Sequence, residues 1–280
     1  MCGIVGYTGE ASATPILVEG LTRMEYRGYD SAGVAVEQDG GIQVITRKGK
    51  VAELAHTLGH FEMTGTCGIG HTRWATHGKP SEANAHPHTS CSGDIAVVHN
   101  GIIENFAELR EELVGRGHVF KSETDTEVVA HLVEESYHRM LAEGTGDLRA
   151  AVAEAAARLV GAYGLAVMAD AEPGTIIACR KDSPIVVGMG KDGAYVASDM
   201  IAMISATRDV VILGDREYAK LSPAEVEYFN DEGERLEPEV THVDWDIDVV
   251  EKGGYPDFML KEIHEQPRVI RDTLAGRMVN

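Results

Sequence analysis

Cys2 stands in Met1-Cys2-Gly3-Ile4-Val5-Gly6, and loss of Met1 before its small neighbour would make it the chain terminus. A terminal cysteine carries a thiol nucleophile and a free α-amine on one residue. That amine titrates near ~7.7–8, so it can take the thiol proton near neutral pH, directly or through a water. The competing reading is a cysteine that merely happens to sit second, and Cys2 alone does not exclude it. Three other stretches offer what a lone nucleophile lacks. Arg73, in His71-Thr72-Arg73-Trp74-Ala75-Thr76-His77-Gly78, has a planar fork that suits a carboxylate; a structural arginine in a buried salt bridge explains it equally well. Asn100-Gly101, after Val97-Val98-His99, offers a side-chain amide and a backbone N–H as oxyanion donors, or else is a common hairpin turn. Asp125, in Ser122-Glu123-Thr124-Asp125-Thr126-Glu127, can receive an ammonium group or serve a helix N-terminus, and the two roles are compatible.

Histidines 71, 77, 86, 88 and 99 raise a metal reading, with His86-Pro87-His88 and Cys91 as nearby nitrogen and sulfur ligands. Their spacing fits no standard zinc pattern and would leave Asn100 and Gly101 idle. Hydrogen bonds that hold loops are the better reading of these rings, so no metal and no cofactor is expected. Gly188-Met189-Gly190 runs on into Lys191-Asp192-Gly193, which reads as a turn and not as a dinucleotide loop.

These groups need elements to hold them. Ile4-Val5-Gly6-Tyr7 reads as a buried strand that would fix the terminus inside the fold. Residues 33–36 and 42–46 read as strands joined through the turn signal Gln38-Asp39-Gly40-Gly41. Residues 15–24 carry Ile16, Leu17, Leu21 and Met24 at helical spacing. Strands are expected at 66–69 and 94–98, each running into a polar stretch. A helix over 105–113 ends at Gly115 or Gly117, and Thr124-Asp125-Thr126-Glu127 reads as a capping box opening a helix to about Met140. The alanine-rich stretch 147–160 predicts a further helix. Short apolar runs at 164–168, 175–179, 184–187, 194–197 and 210–213 make the second half strand-dominated. Mixed strands and paired helices suggest stacked sheets covered by helices. After Gly253-Gly254-Tyr255-Pro256 the pattern suggests a linker helix pair interrupted at Pro267, and the end at Asn280 suggests one part of a longer protein.

Composition narrows the class. The net charge is −20, with no Lys/Arg cluster long enough for a nucleic-acid backbone. Residues 225–251 hold eleven acids against Arg235 alone, which reads as a solvated face. No run of apolar residues is long enough to span a membrane. No basic segment leads into a secretory signal, so export is not expected. The four cysteines, at 2, 67, 91 and 179, form no CxxC, and a reducing cytoplasm fits them.

Together the segments resemble the glutaminase domains of the glutamine–fructose-6-phosphate aminotransferases (isomerizing), also called glucosamine-6-phosphate synthases. The resemblance covers residues 2–280 and rests on Cys2-Gly3-Ile4-Val5-Gly6, Tyr26-Arg27-Gly28-Tyr29-Asp30-Ser31-Ala32-Gly33, residues 71–78, His99-Asn100-Gly101 and residues 122–127. It implies an α+β fold, the four-layer α-β-β-α sandwich of the Ntn hydrolases. It implies a glutaminase domain over 1–250, and a linker over 251–280 toward sugar-isomerase domains that bind fructose 6-phosphate. It implies Cys2 as nucleophile, its own amine as base, and Asn100 and Gly101 as oxyanion hole. Arg73 would bind the α-carboxylate of L-glutamine and Asp125 its α-amino group. Trp74, Thr76 and His77 would line the site, and Arg27 would belong to a flap that closes over glutamine. The full-length protein is expected to be a cytoplasmic homodimer. Two rival readings stay open: a non-catalytic amino-acid sensor, and a glutaminase domain serving another acceptor.

Overall fold

Strands whose apolar residues alternate between two faces build two sheets that share one buried layer. The structure is a computed structural model and describes residues 2–75, 78–244, 254–255 and 258–275. The chain divides into two units, Met1–Val243 and Asp244–Asn280.

In the first unit, one sheet holds β1 (Gly3–Gly9), β2 (Ser31–Gln38), β3 (Gly41–Lys48), β4 (Cys67–Arg73), β9 (Val186–Met189), β10 (Gly193–Ala197), β11 (Asp209–Ile212) and β15 (Val240–His242). Their order is β15-β11-β9-β10-β1-β4-β2-β3. The other sheet holds β5 (His88–Thr89), β6 (Ile95–Ile103), β7 (Gly161–Ala169), β8 (Ile176–Lys181), β12 (Tyr218–Leu221), β13 (Val226–Phe229) and β14 (Arg235–Leu236), in the order β14-β13-β12-β8-β7-β6-β5. The named strand pairs are antiparallel. Helices α1 (Ala13–Arg23) and α2 (Val51–Leu58) pack on the outer face of the first sheet. Helices α3 (Phe106–Gly115), α4 (Glu127–Ala142) and α5 (Leu148–Ala157) form the layer outside the second. The expected α-β-β-α order is therefore the one found.

Period-2 alternation sorts the core. On β6, Ala96 and Val98 face the first sheet, whereas Ile95, Val97 and Ile103 pack among the helices. The inter-sheet layer also takes Ile4 from β1, Cys67 and Ile69 from β4, and Ala166, Ala178, Ala194 and Ala219. Alanine at so many facing positions lets the sheets close without voids, because interiors are packed to near-crystalline density.

Several elements differ from the sequence reading. The strand after Asp94 does not stop at Asn100-Gly101; β6 runs through both, which pair with Gly164 and Tyr163 on β7. The hairpin turn is therefore not formed there, because β7 runs alongside both residues and extends the strand through them. The expected capping box is not closed either. Glu127 instead accepts hydrogen bonds from the backbone N–H groups of Lys121 (2.7 Å) and Ser122 (2.7 Å), earlier in the loop. The acidic stretch is not only a solvated face: Val226 and Tyr228 on β13 pack against the inter-sheet layer. In the second unit, α6 (Phe258–Leu274) is one helix that carries Pro267 inside it, not a pair. A proline there removes one backbone hydrogen bond and need not end a helix. Among the described residues no helix is long and apolar enough to cross a membrane.

A row of buried histidines ties the strands to the loop before α4. His86 and His71 stack with centroids 4.2 Å apart, and His86 Nδ1 accepts from the His99 backbone N–H (3.3 Å). His88 Nε2 bonds Thr124 Oγ1 (2.9 Å), and His99 Nδ1 bonds Thr126 Oγ1 (2.8 Å). Burial keeps these rings neutral. His71 falls to about 3 and His88 to about 4, and His86 and His99 are lowered too. Arg73 adds to the effect at His86 and His88, while Asp125 and Glu127 oppose it at His88 and Asp125 opposes it at His99.

Two outcomes follow from this packing. Ala166→Leu, which forces extra methylenes between the sheets, should cost about 1–3 kcal/mol, read as a lower urea midpoint at unchanged slope. Unfolded histidines titrate near ~6.5, so below that value the unfolded chain binds more protons than the folded one. The stability contributed by the four neutral rings is complete above pH ~6.5. It is lost toward pH 4, at up to about 1.4 kcal/mol per pH unit for each ring. His131, raised by Glu127 and Glu134 against the effect of its burial, offsets part of this loss. Thermal midpoints at pH 7.5 and pH 5 test the sign, and an equal or higher midpoint at pH 5 would contradict it.

Candidate active site

The same alternation that builds the inter-sheet layer runs on past its apolar end and becomes polar. Ile4 faces inward on β1, so Cys2, two residues earlier, inherits that face. Cys67 and Ile69 face inward on β4, so His71 and Arg73 follow; Ala96 and Val98 on β6 lead to Asn100. Hydrogen bonds across the gap agree with this parity. Asn100 Nδ2 donates to the Cys2 backbone oxygen (3.3 Å), and His71 Nε2 meets Asn100 Oδ1 (3.0 Å). With the amide turned this way, Oδ1 is the acceptor and His71 carries its proton on Nε2.

The Cys2 thiol is held against the end of β4. The Trp74 backbone N–H donates to Sγ (3.2 Å), and Sγ lies 3.6 Å from the Trp74 carbonyl oxygen. Burial pushes this thiol above its ordinary value; the Trp74 hydrogen bond and the Arg73 charge pull the other way without overcoming it. The thiol therefore needs a base to become a nucleophile.

Arg73 is buried at the β4 terminus, paired with Ser31 on β2. Its Nη2 donates to the Gly78 carbonyl (3.0 Å), and its Nη1 lies 3.8 Å from Asp30 Oδ1. Asp30 also accepts from the Ala75 N–H and from Ser31 Oγ (2.8 Å), so a single carboxylate fixes both the arginine and the segment after it. Asp125, likewise buried, accepts from the Ile103 N–H (2.9 Å) at the end of β6. Cys2, Arg73, Trp74, Gly101 and Asp125 line one small cavity of about 20 Å³, together with His86, His99, Thr124 and Thr126. That is room for roughly one water. A larger cleft of about 520 Å³ shares Cys2, Trp74 and Gly101 with it and adds Arg27, Asn100, Ile102 and Glu104.

Two glycines are required by this geometry. Gly101 has φ 135°, and a Cβ there would lie 2.0 Å from the Ala162 carbonyl oxygen. Gly28 has φ 93°, and a Cβ there would lie 2.4 Å from the Trp74 ring, which rests on it half exposed. Arg27, beside Gly28, donates to the Cys2 carbonyl (3.3 Å) and Ser198 Oγ (3.0 Å) and lies 3.5 Å from Asp199. Tyr26 OH also donates to Asp199 (2.6 Å).

Cys2, Arg27, Arg73, Trp74, Asn100, Gly101 and Asp125 are thus brought together, whereas Thr76 and His77 lie outside the described residues. Sequence reasoning assigned no role to Asp30, Ser198 or Asp199, and read His71 only as one of the rings that hold loops by hydrogen bonds. Asp30 and His71 lay inside quoted motifs; Ser198 and Asp199 follow β10 and reach the terminus only through β1–β10 pairing. The histidines that Cys91 Sγ meets are His118 and His131, while His86 Nδ1 and His88 Nε2 bond the His99 N–H and Thr124 Oγ1.

Residues 71–205 match a family model described as a glutamine amidotransferase domain. The chain is 50% identical over 279 residues to the glutamine–fructose-6-phosphate aminotransferase (isomerizing) of Clostridium acetobutylicum, covering 100% of this chain and 45% of that protein. The enzyme of the same name from Symbiobacterium thermophilum is 52% identical over 278 residues, covering 99% of this chain and 44% of that protein. The chain thus spans less than half the length of these curated relatives. Among solved structures, the glutamine phosphoribosylpyrophosphate amidotransferase of B. subtilis with ADP and GMP superposes at a TM-score of 0.69 and 25% identity, over 82% of this chain and 49% of that one. The allosteric regulatory enzyme of purine biosynthesis superposes at 0.71 and 26%, with the same coverage. Two stacked antiparallel sheets between helical layers and half-identity along its whole length lead to one conclusion: the chain belongs to the glutamine amidotransferases of the Ntn-hydrolase type.

Proposed function

We propose that residues 1–250 hydrolyse L-glutamine to glutamate and ammonia at Cys2. The observation that carries this reading is the convergence of Cys2, Asn100, Gly101, Arg73 and Asp125 at one end of the inter-sheet layer. Once Met1 is removed, the Cys2 amine accepts the thiol proton. The thiolate attacks the side-chain amide carbon, and the carbonyl oxygen becomes negative. An Asn100 amide N–H and the Gly101 backbone N–H stabilise that charge where it develops. The terminal ammonium returns its proton to the leaving nitrogen, and ammonia departs from a γ-glutamyl thioester. Water, giving a proton to the amine, attacks the thioester; the thiolate leaves and is reprotonated, and glutamate is released.

Arg73 and Asp125 anchor the carboxylate and ammonium of the substrate, Trp74, Thr76 and His77 are assigned to substrate binding on the sequence resemblance, and Arg27 covers the site. The cavity of about 20 Å³ between the anchors must widen to admit an amino acid. By analogy with the relatives' name, the ammonia of the whole protein goes to fructose 6-phosphate. Residues 251–280 then lead toward sugar-isomerase domains, in a cytoplasmic homodimer.

Glutamine hydrolysis should vanish in Cys2→Ala and fall about 10²–10³-fold in kcat in Asn100→Ala. Protein that retains Met1, identified by intact mass, should be inactive; full activity with Met1 in place would refute the built-in base. A diazoketone analogue of glutamine should label Cys2, and absence of labelling together with absence of turnover would favour an amino-acid sensor. Asparagine is one methylene shorter than glutamine, so fixed anchors hold its amide carbon out of line. Its kcat/KM should be lower by about 10²-fold or more, and equal turnover of the two amides would remove the anchor argument.

A further inference from the structure

Away from the cleft, four side chains from three parts of the chain aim donor atoms at one point. Cys91 lies in the loop between β5 and β6, His118 in the loop after α3, and His131 and Glu134 one turn apart on α4. One ligand atom of each lies within 4.8 Å of all the others. Cys91 Sγ is 3.6 Å from both His118 Nδ1 and His131 Nδ1. Glu134 Oε2 is 3.2 Å from His118 Nδ1 and 3.5 Å from His131 Nδ1. A tetrahedral ion bonded at ~2.3 Å to sulfur and ~2.0–2.1 Å to nitrogen and oxygen gives sulfur–nitrogen edges of roughly 3.6 Å and nitrogen–oxygen edges of roughly 3.3–3.4 Å. The distances found match both kinds of edge.

The surroundings complete the pattern. His118 turns its other nitrogen, Nε2, to Glu135 (3.3 Å), and His131 turns its Nε2 to Glu127 (3.7 Å). The Glu135 hydrogen bond fixes the His118 tautomer that leaves Nδ1 as a lone pair, as metal-bound histidines are usually held, while Glu127 stands behind the His131 ring beyond hydrogen-bond distance. Glu134 Oε1 is oriented by the Ser92 N–H (2.9 Å) and Ser92 Oγ (2.7 Å), and the Val119 N–H donates to Cys91 Sγ (3.3 Å). His131 and Glu134 are buried while Cys91 is exposed, so the cluster is anchored from inside and open to solvent on the sulfur side.

We propose that Cys91, His118, His131 and Glu134 form a tetrahedral zinc site. A thiolate, two neutral imidazoles and one carboxylate suit Zn²⁺ and not Mg²⁺ or Ca²⁺, which take oxygen ligands. The thiolate and carboxylate balance the charge of the ion. Four protein ligands close the coordination shell, so the role is structural. The ion clamps the β5–β6 loop and the loop after α3 onto α4, the helix that follows Asp125.

The test uses the whole chain in a Cys2→Ser background, which removes the other accessible thiol. Metal analysis after chelator-free purification in zinc-supplemented medium should find one zinc per chain. Cobalt added to chelator-treated protein should give the strong visible bands of a tetrahedral ion and a thiolate-to-metal charge-transfer band. Zinc should raise the thermal midpoint of the chelator-treated protein. Cys91→Ser should lose the charge-transfer band and the zinc-dependent shift, and Glu135→Gln should weaken zinc binding about 10-fold or more. Failure to bind zinc stoichiometrically, or binding unchanged in Cys91→Ser, would overturn the proposal and leave a hydrogen-bonded cluster only. None of these readouts depends on glutamine turnover.

Discussion

The face-to-face closure of two antiparallel sheets is the constraint on which the rest of this molecule depends. Side chains on a strand alternate strictly, so every second residue on β1, β4 and β6 must enter one shared layer. Through most of its length that layer is apolar and rich in alanine, and burial there drives the sheets together. At one end the parity persists but the chemistry changes: Cys2, His71, Arg73 and Asn100 occupy positions that would otherwise be core. The site is thus a continuation of the core with polar residues, held by the register that holds the core. A slip of one residue would turn each of these groups to the opposite face.

Polar groups in such a place are tolerated only when satisfied, because an unpaired buried charge or donor costs several kcal/mol. Arg73 sits beside Asp30, and Asp125 accepts a backbone N–H from the last residue of β6. The histidines solve the problem differently. Burial keeps His71, His86, His88 and His99 neutral, so each can give or receive a hydrogen bond without a counter-charge. His71 has a further consequence. By occupying Asn100 Oδ1, it decides which way the amide faces and directs the NH₂ group at the Cys2 backbone carbonyl. Arg27 and Trp74 bring less buried segments onto the same spot, through the Cys2 carbonyl and the surface of Gly28.

The second helical layer carries a different kind of organisation. The loop that delivers Asp125 is fastened by Glu127, which accepts from the backbone of Lys121 and Ser122 and faces His131. His131 in turn meets Cys91, Glu134 and His118. One chain of polar contacts therefore runs from the start of the loop that holds Asp125 to the cluster between the two outer loops.

The sequence by itself determined the strand and helix types, the sandwich class, and the identity of the groups at the cleft. Alternation, turn signals and helical spacing are local, and the motifs around Cys2, Arg73, Asn100 and Asp125 are contiguous. It misplaced what local pattern cannot fix. Asn-Gly is a turn signal in isolation, but β7 lies alongside and absorbs it into β6. Thr124 and Glu127 have capping-box spacing, yet Glu127 takes the backbone N–H groups of Lys121 and Ser122 earlier in the loop. The acidic β13 looked solvated because its few apolar residues, Val226 and Tyr228, show their worth only once a second sheet offers them a surface. Only the tertiary structure brought Ser198 and Asp199 to the terminus, turned the Asn100 amide through His71, and gathered Cys91 with His118, His131 and Glu134. Each of these depends on a distance between residues far apart in the chain, and such distances are set by which sheet faces meet, not by spacing along the backbone.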